Sequence, residues 1–204
     1  MSPTRSSPFC IVLGLSLALT TFAARAEEGF RPTDKTGRPL NLDFETGDLR
    51  DWTAQGDAFQ GQPVEGDTVA ARRKDMKSGH TGKFWIGTYE RAGDAPKGTL
   101  TSAPFVLSKP FARFLIGAAA HDTTRVEIIS ADDQEVLFKT SGGGVEDMTP
   151  VVADLTPHLG KTVFIRLVDD DSRGWGHINF DDFTLWGARP PGQERIVPSS
   201  PDAF

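Results

Sequence analysis

The residues of this chain best placed to do chemistry lie in its last patterned segment, Gly174-Trp175-Gly176-His177-Ile178-Asn179-Phe180-Asp181-Asp182-Phe183-Thr184-Leu185-Trp186. A glycine-flanked aromatic loop runs into a strand that carries two adjacent carboxylates between phenylalanines. Such carboxylates are costly to bury unless something positive satisfies them. A second acidic pattern, Asn41-Leu42-Asp43-Phe44-Glu45-Thr46-Gly47-Asp48, opens the body. If the first and last strands are neighbours, Glu45 and one of Asp181 and Asp182 could join backbone carbonyls around Ca²⁺, which takes about 6–8 oxygens. In a regular strand Asp181 and Asp182 point to opposite faces, so one of them is expected to face inward. The cation would be structural, pinning the ends of the fold together. The plainer alternative is a pair of solvated edge carboxylates. Asp169-Asp170-Asp171-Ser172-Arg173-Gly174 is not an EF-hand loop: Arg173 sits at the fifth position, Phe180 at the twelfth, and no helices flank it. It reads as a solvated turn.

The second chemistry the residue types allow is sugar binding, which needs an aromatic face and a few fixed polar groups. Trp85 and Tyr89 lie in one segment, His121, Asp122 and Arg125 in a loop entering a strand, and Trp175 with His177 beside the acidic turn. Trp175, between two glycines, is the best candidate for exposure; Trp52 and Trp186 read as core. Trp175, His177, Arg125, Asp122 and Trp85 form the candidate ligand set, against the alternative that each aromatic packs in the core. Catalytic signatures are lacking: there is no Gly-x-Ser-x-Gly and no His-Glu-x-x-His, and the four histidines show no ligand spacing. Gly142-Gly143-Gly144 follows a strand without opening a helix and reads as a loop, not a phosphate cradle.

The elements that must hold these residues repeat with period 2. Val163, Ile165 and Leu167 alternate with Phe164 and Arg166, and Val126 and Ile128 alternate with Arg125 and Glu127. Runs at 100–107, 111–118, 135–140 and 151–155 are bounded by Gly, Pro, Asp or Ser. The runs 124–130 and 135–140 flank a turn and predict a hairpin. Eight or more short strands without an amphipathic helix predict an all-β fold, a jelly-roll β-sandwich.

The ends of the chain differ from its body. Arg5, the apolar run from Cys10 to Ala23 and Ala24-Arg25-Ala26 form a signal-peptide pattern over residues 1–26, too short for a membrane span of about 20 residues. The chain is therefore expected to be exported, to the periplasm or outside the cell. Residues 27–39 read as a lead-in with little structure, 40–187 as the β-sandwich, and 188–204, with Pro190, Pro191, Pro198 and Pro201, as a tail. The single cysteine lies in the signal pattern, so neither a disulfide nor a thiol nucleophile is expected in the body. A net charge of −6 argues against nucleic acid and anionic membranes as partners.

The body resembles the galactose-binding-like β-sandwich domains attached to secreted levanase- and invertase-type glycoside hydrolases and to other exported bacterial proteins. The resemblance rests on Asp43-Phe44-Glu45-Thr46-Gly47-Asp48-Leu49 with Trp52, Gly98-Thr99-Leu100-Thr101-Ser102-Ala103-Pro104-Phe105, Phe114-Leu115-Ile116-Gly117 and Gly174 to Asp182, in that order over 40–187. It implies a jelly roll, a non-catalytic role that is commonly glycan binding, and a structural calcium carried over to Glu45 and Asp182, with Asp181 and Asp43 beside them. Two departures bear on the ligand: Ala118-Ala119-Ala120-His121 stands where a glycine-rich turn is usual, and the module is expected to stand alone, without a catalytic domain. The competing expectations are an envelope module that binds a protein partner and a small secreted polysaccharide hydrolase or lyase.

Overall fold

The computed structural model describes residues 28–192 and the backbone of 195–198; the signal pattern lies outside the described residues. Two sheets face each other. The first has the order β1 (Trp52–Gly56), β4 (Gly98–Ser102), β10 (Thr162–Asp169), β7 (Thr124–Ser130), β8 (Val136–Thr140), with β5 (Phe105–Val106) also on β10. The second has the order β12 (Arg195–Pro198), β9 (Val145–Asp154), β6 (Phe111–Ala118), β11 (Ile178–Trp186), β3 (Phe84–Gly87), β2 (Val64–Glu65). All pairs are antiparallel except β12 with β9. This is the jelly-roll sandwich that the period-2 pattern predicts, with its β7–β8 hairpin.

The core is what alternation dictates. Val126, Ile128, Val163, Ile165 and Leu167 point from the first sheet against Phe114, Ile116, Phe180 and Phe183 of the second. Phe114 packs against Phe180, Phe183 and Phe138, and Phe44 stacks on Trp52 with ring centroids 5.2 Å apart. A second, smaller cluster lies on the outer face of the second sheet. There Leu115, Met148 and Trp85 are covered by Val64 and by Val69 of α1 (Thr68–Arg72).

β11 departs from a regular strand. Its register on β6 shifts between Asp181 and Thr184, and Asp182 takes φ +55°. That bulge lets Phe180 and Phe183, three residues apart, both face the core. Asp181 lies on the outer face beside its register partner Leu115, while Asp182, which a regular strand would turn inward two residues after Phe180, is taken up by the bulge.

Both terminal segments are more engaged than their composition suggests. Phe30 bridges to Leu185, Leu40 is buried, and Arg38 holds Asp51 through two hydrogen bonds, so the lead-in is strapped to the body. Residues 195–198, expected as tail, form β12 along β9.

Candidate ligand cleft and the carboxylate junction

Where β3 ends and β9 and β11 begin, the chain forms a cleft of about 250 Å³. Its floor is His177, buried to 2% exposure. The ring Nδ1 lies 2.6 Å from Asp94 and Nε2 lies 3.3 Å from Glu146. Glu146, equally buried, also accepts from Arg72 at 2.6 Å and from the Asn179 amide at 3.0 Å. Burial alone would raise the Glu146 pKa, but the hydrogen bonds from His177 and Arg72 outweigh it and hold the carboxyl at about 2. Burial alone would lower His177, but Glu146 and Asp94 reverse the sign and raise it above the ordinary imidazole value. The floor is therefore an imidazole held between two carboxylates, which favour its protonated form. Asp169 lies below it, 2% exposed, and burial raises its carboxyl to about 6.

The cleft walls are aromatic and cationic. Trp175 stacks on His177 with centroids 5.7 Å apart at 22°, and Tyr89 approaches the same ring from 5.0 Å. Arg72 lies over Tyr89 at 4.5 Å and is bound to Glu90; Arg73 lies 5.7 Å from the Trp175 centroid.

Trp175 is held by its loop. It takes φ +68°, and its N–H donates to Asp94 at 3.2 Å. A Cβ on Gly176 would stand 2.7 Å from the Arg173 carbonyl, so this position admits only glycine. Asp171, 4% exposed, accepts from Arg173 and from Thr123, and the Ser172 hydroxyl donates to the Ala95 carbonyl. The acidic turn is thus an anchored loop with two of its three aspartates buried, where a solvated turn was expected.

Of the five expected ligand residues, the fold brings Trp175 and His177 together. Trp85 is fully buried; it stacks on His80 and donates its indole N–H to the Gly66 carbonyl, so it offers no face to a ligand. Arg125 and Asp122 belong to the first sheet and its loop. There Arg125 binds Glu127 at 2.7 Å and the Asp122 carbonyl at 2.6 Å, while Asp122 pairs with Lys139. Sequence reasoning missed Arg72, Arg73, Asp94 and Glu146, which lie on separate elements far apart along the chain.

The four expected metal ligands do not converge. Among the described residues no group of three or more His, Cys, Asp or Glu side chains is gathered to hold an ion. Asp43 is ion-paired with Arg31, and Asp182 with Arg113 at 3.3 Å, so arginines take the place of a cation for these two. Glu45 and Asp181 instead grip one segment. Glu45 accepts from the N–H groups of Lys83 and Phe84, and Asp181 from the N–H and hydroxyl of Thr81. The first and last segments are neighbours, since the Phe183 N–H reaches the Leu42 carbonyl. Asp181 has no cationic partner among its hydrogen bonds, and burial pushes its carboxyl up to about 8. Asp43 and Asp182, each already paired with an arginine, do not fit a hard cation.

Against known proteins, no family model matches the chain. It is 28% identical over 177 residues to a protein of Aspergillus rugulosus provisionally named a glycosyl hydrolase (ecdE), covering 85% of this chain and 24% of that protein. The chain thus spans about a quarter of that relative's length. Two solved structures are similar in arrangement. One is TmCBM61 in complex with β-1,4-galactotriose, at TM-score 0.45 and 16% identity over 76% of this chain and 98% of that one. The other is the K1 cleaved adhesin domain of Lys-gingipain from Porphyromonas gingivalis W83, at 0.44 and 13% over 74% and 96%. By its own two sheets the chain is a β-sandwich.

Proposed function

We propose that this protein is an exported carbohydrate-binding module that captures one sugar residue in the Trp175 cleft. The observation carrying the reading is the Tyr89–His177–Trp175 aromatic group over an immobilised charged floor. An aromatic face takes the C–H side of a pyranose or furanose ring, and arginine N–H groups at the rim donate to its hydroxyls. At about 250 Å³ the cleft falls below the ~300 Å³ of drug-sized pockets, so it suits a single ring. The Aspergillus relative adds direction: a glycosyl hydrolase name on a protein about four times longer suits an accessory module.

The floor argues for binding over acid–base catalysis. A general acid or base works best with a pKa near the working pH. Glu146 is held at about 2, both His177 nitrogens are committed to carboxylates, and Asp169, raised to about 6, is buried beneath them away from a ligand. An array of neutral and acidic glycans should show retention that Trp175→Ala reduces at least about tenfold, the worth of ~1.4 kcal/mol of stacking, at unchanged melting temperature. Retention on no glycan, or equal retention by the variant, contradicts the reading. Polysaccharide turnover lost on Glu146→Gln would establish the hydrolase alternative.

A structural calcium remains part of the proposal in reduced form. It would be held by Asp181 and Glu45 with carbonyls of the segment between them. Bound there, the ion would supply the missing positive charge and tie the opening segment to β11.

A further inference from the structure

The rim of the cleft carries a charge that the capture of a neutral ring leaves unused. Arg73 lies 5.7 Å from the Trp175 centroid, and its one carboxylate partner among the described residues is Asp75, two positions along the chain. Arg73 gives Asp75 its Nε and one terminal nitrogen, at 3.1 and 2.8 Å. Its other terminal nitrogen has no partner among the described residues. The Arg73 side chain is 31% exposed and that of Asp75 64%. A pair to so exposed a carboxylate is weak, because water competes for both partners.

The other acids of the cleft are committed. Glu146 accepts from Arg72, His177 and Asn179, and Asp94 from His177 and the Trp175 N–H. Glu90, buried beside Tyr89, is held by Arg72. Asp75 is therefore the carboxylate that an incoming anion can replace. The segment that supplies both arginines is the basic part of an acidic chain. Residues 71–83 hold Arg72, Arg73, Lys74, Lys77 and Lys83 against Asp75 alone, while the whole chain carries −6. The nearby acids Asp147 and Glu45 are taken by backbone N–H groups of Lys77, Lys83 and Phe84. A local excess of this kind draws oxyanions and fades with salt.

One ligand chemistry fits. A guanidinium with an exchangeable carboxylate accepts another in the same planar, two-bond geometry, with no net change of charge. In a hexuronate the carboxyl carbon is attached directly to the sugar ring, so a ring held at Trp175 brings its carboxylate to the rim arginine. We propose that the Trp175 cleft selects an acidic sugar, a hexuronate residue whose carboxylate takes the place of Asp75 on Arg73. This rests on the cleft reading and deepens it: Arg73 reads the charge, and Asp75 is a built-in competitor that the ligand displaces. A neutral ring stacks in the same cleft without the exchange and binds more weakly.

The test is isothermal titration of the full chain with trisaccharides of galacturonate and of glucuronate, their carboxyl-reduced neutral forms, and a sulfated neutral trisaccharide. A uronate should bind at least about tenfold tighter than its reduced form, and the gap should close as NaCl rises from about 0.05 to about 0.5 M. Arg73→Gln should bring the uronate down to the affinity of its reduced form, and Arg73→Lys should restore only part of the gap. Asp75→Asn should tighten the uronate severalfold and leave the reduced form unchanged, which a merely structural ion pair would not do. An unchanged melting temperature verifies folding of each variant. Equal binding of uronate and reduced sugar, a preference that survives Arg73→Gln, or a sulfated sugar bound tighter than both uronates overturns the proposal. In each of those cases the cleft reading stands if Trp175→Ala still weakens the sugar that binds. Binding of no sugar, or binding indifferent to Trp175→Ala, overturns both.

Discussion

Glu146 decides the character of the cleft, although it never reaches the ligand space as a free group. It satisfies Arg72, His177 and Asn179 at once. Removing it as Glu146→Ala leaves the buried His177 ring without one of its two carboxylate partners, which should cost about 3 kcal/mol in urea unfolding; a loss within error of zero would mean the floor is solvated. The pH dependence has two limbs. Glu146 titrates lower folded than its ordinary 4.5, so its contribution is present above that value and disappears as pH falls toward about 2. His177 titrates higher folded than its ordinary 6.5, so its contribution is complete below that value and disappears as pH rises through the folded one. The cluster therefore stabilises most between about pH 4.5 and 6.5. Ring ¹⁵N shifts should find His177 doubly protonated at pH 6, and a neutral tautomer there would contradict the clamp. None of this was legible in sequence, because residues 72, 94, 146 and 177 meet through four different elements. Only Trp175 and its glycines carried a local signal, since its left-handed backbone and the crowding at Gly176 are local needs.

At the scale of elements, the informative departure is the bulge in β11. A period of 2 read from the sequence places one aspartate of the pair inward. The bulge spends Asp182 on a left-handed turn, returns both phenylalanines to the core, and leaves Asp181 buried outside it. A bulge has no signature in alternation, so the placement of Asp182 was not legible, while the adjacency of the opening segment and β11 was. Asp181 and Glu45 bracket residues 81–84, and the calcium proposal lives on that bracket. Chelator should lower the melting temperature of the unmodified protein by several degrees, as ~2–4 °C accompanies each kcal/mol at this size. Asp181→Asn or Glu45→Gln should erase the difference. An identical melt with and without chelator would contradict the ion and leave Asp181 as a protonated buried acid.

For the whole molecule, strands 6, 7 and 10 and the sandwich they build were plain in the sequence, because Val163, Ile165, Leu167, Val126 and Ile128 keep strict alternation. The docking of residues 30–40 and of β12 was not, because main-chain pairing with few apolar side chains leaves no period to read. Stability without a disulfide rests on the aromatic seam between the sheets. Phe180→Ala, at its centre, should cost about 3–5 kcal/mol. That rigid sandwich carries at one end the cleft in which Trp175 is proposed to bind sugar. Isothermal titration of the strongest array glycan into the unmodified protein and into Trp175→Ala tests this most directly. The account predicts saturable binding that weakens at least about tenfold in the variant; equal affinity in the two proteins would contradict it.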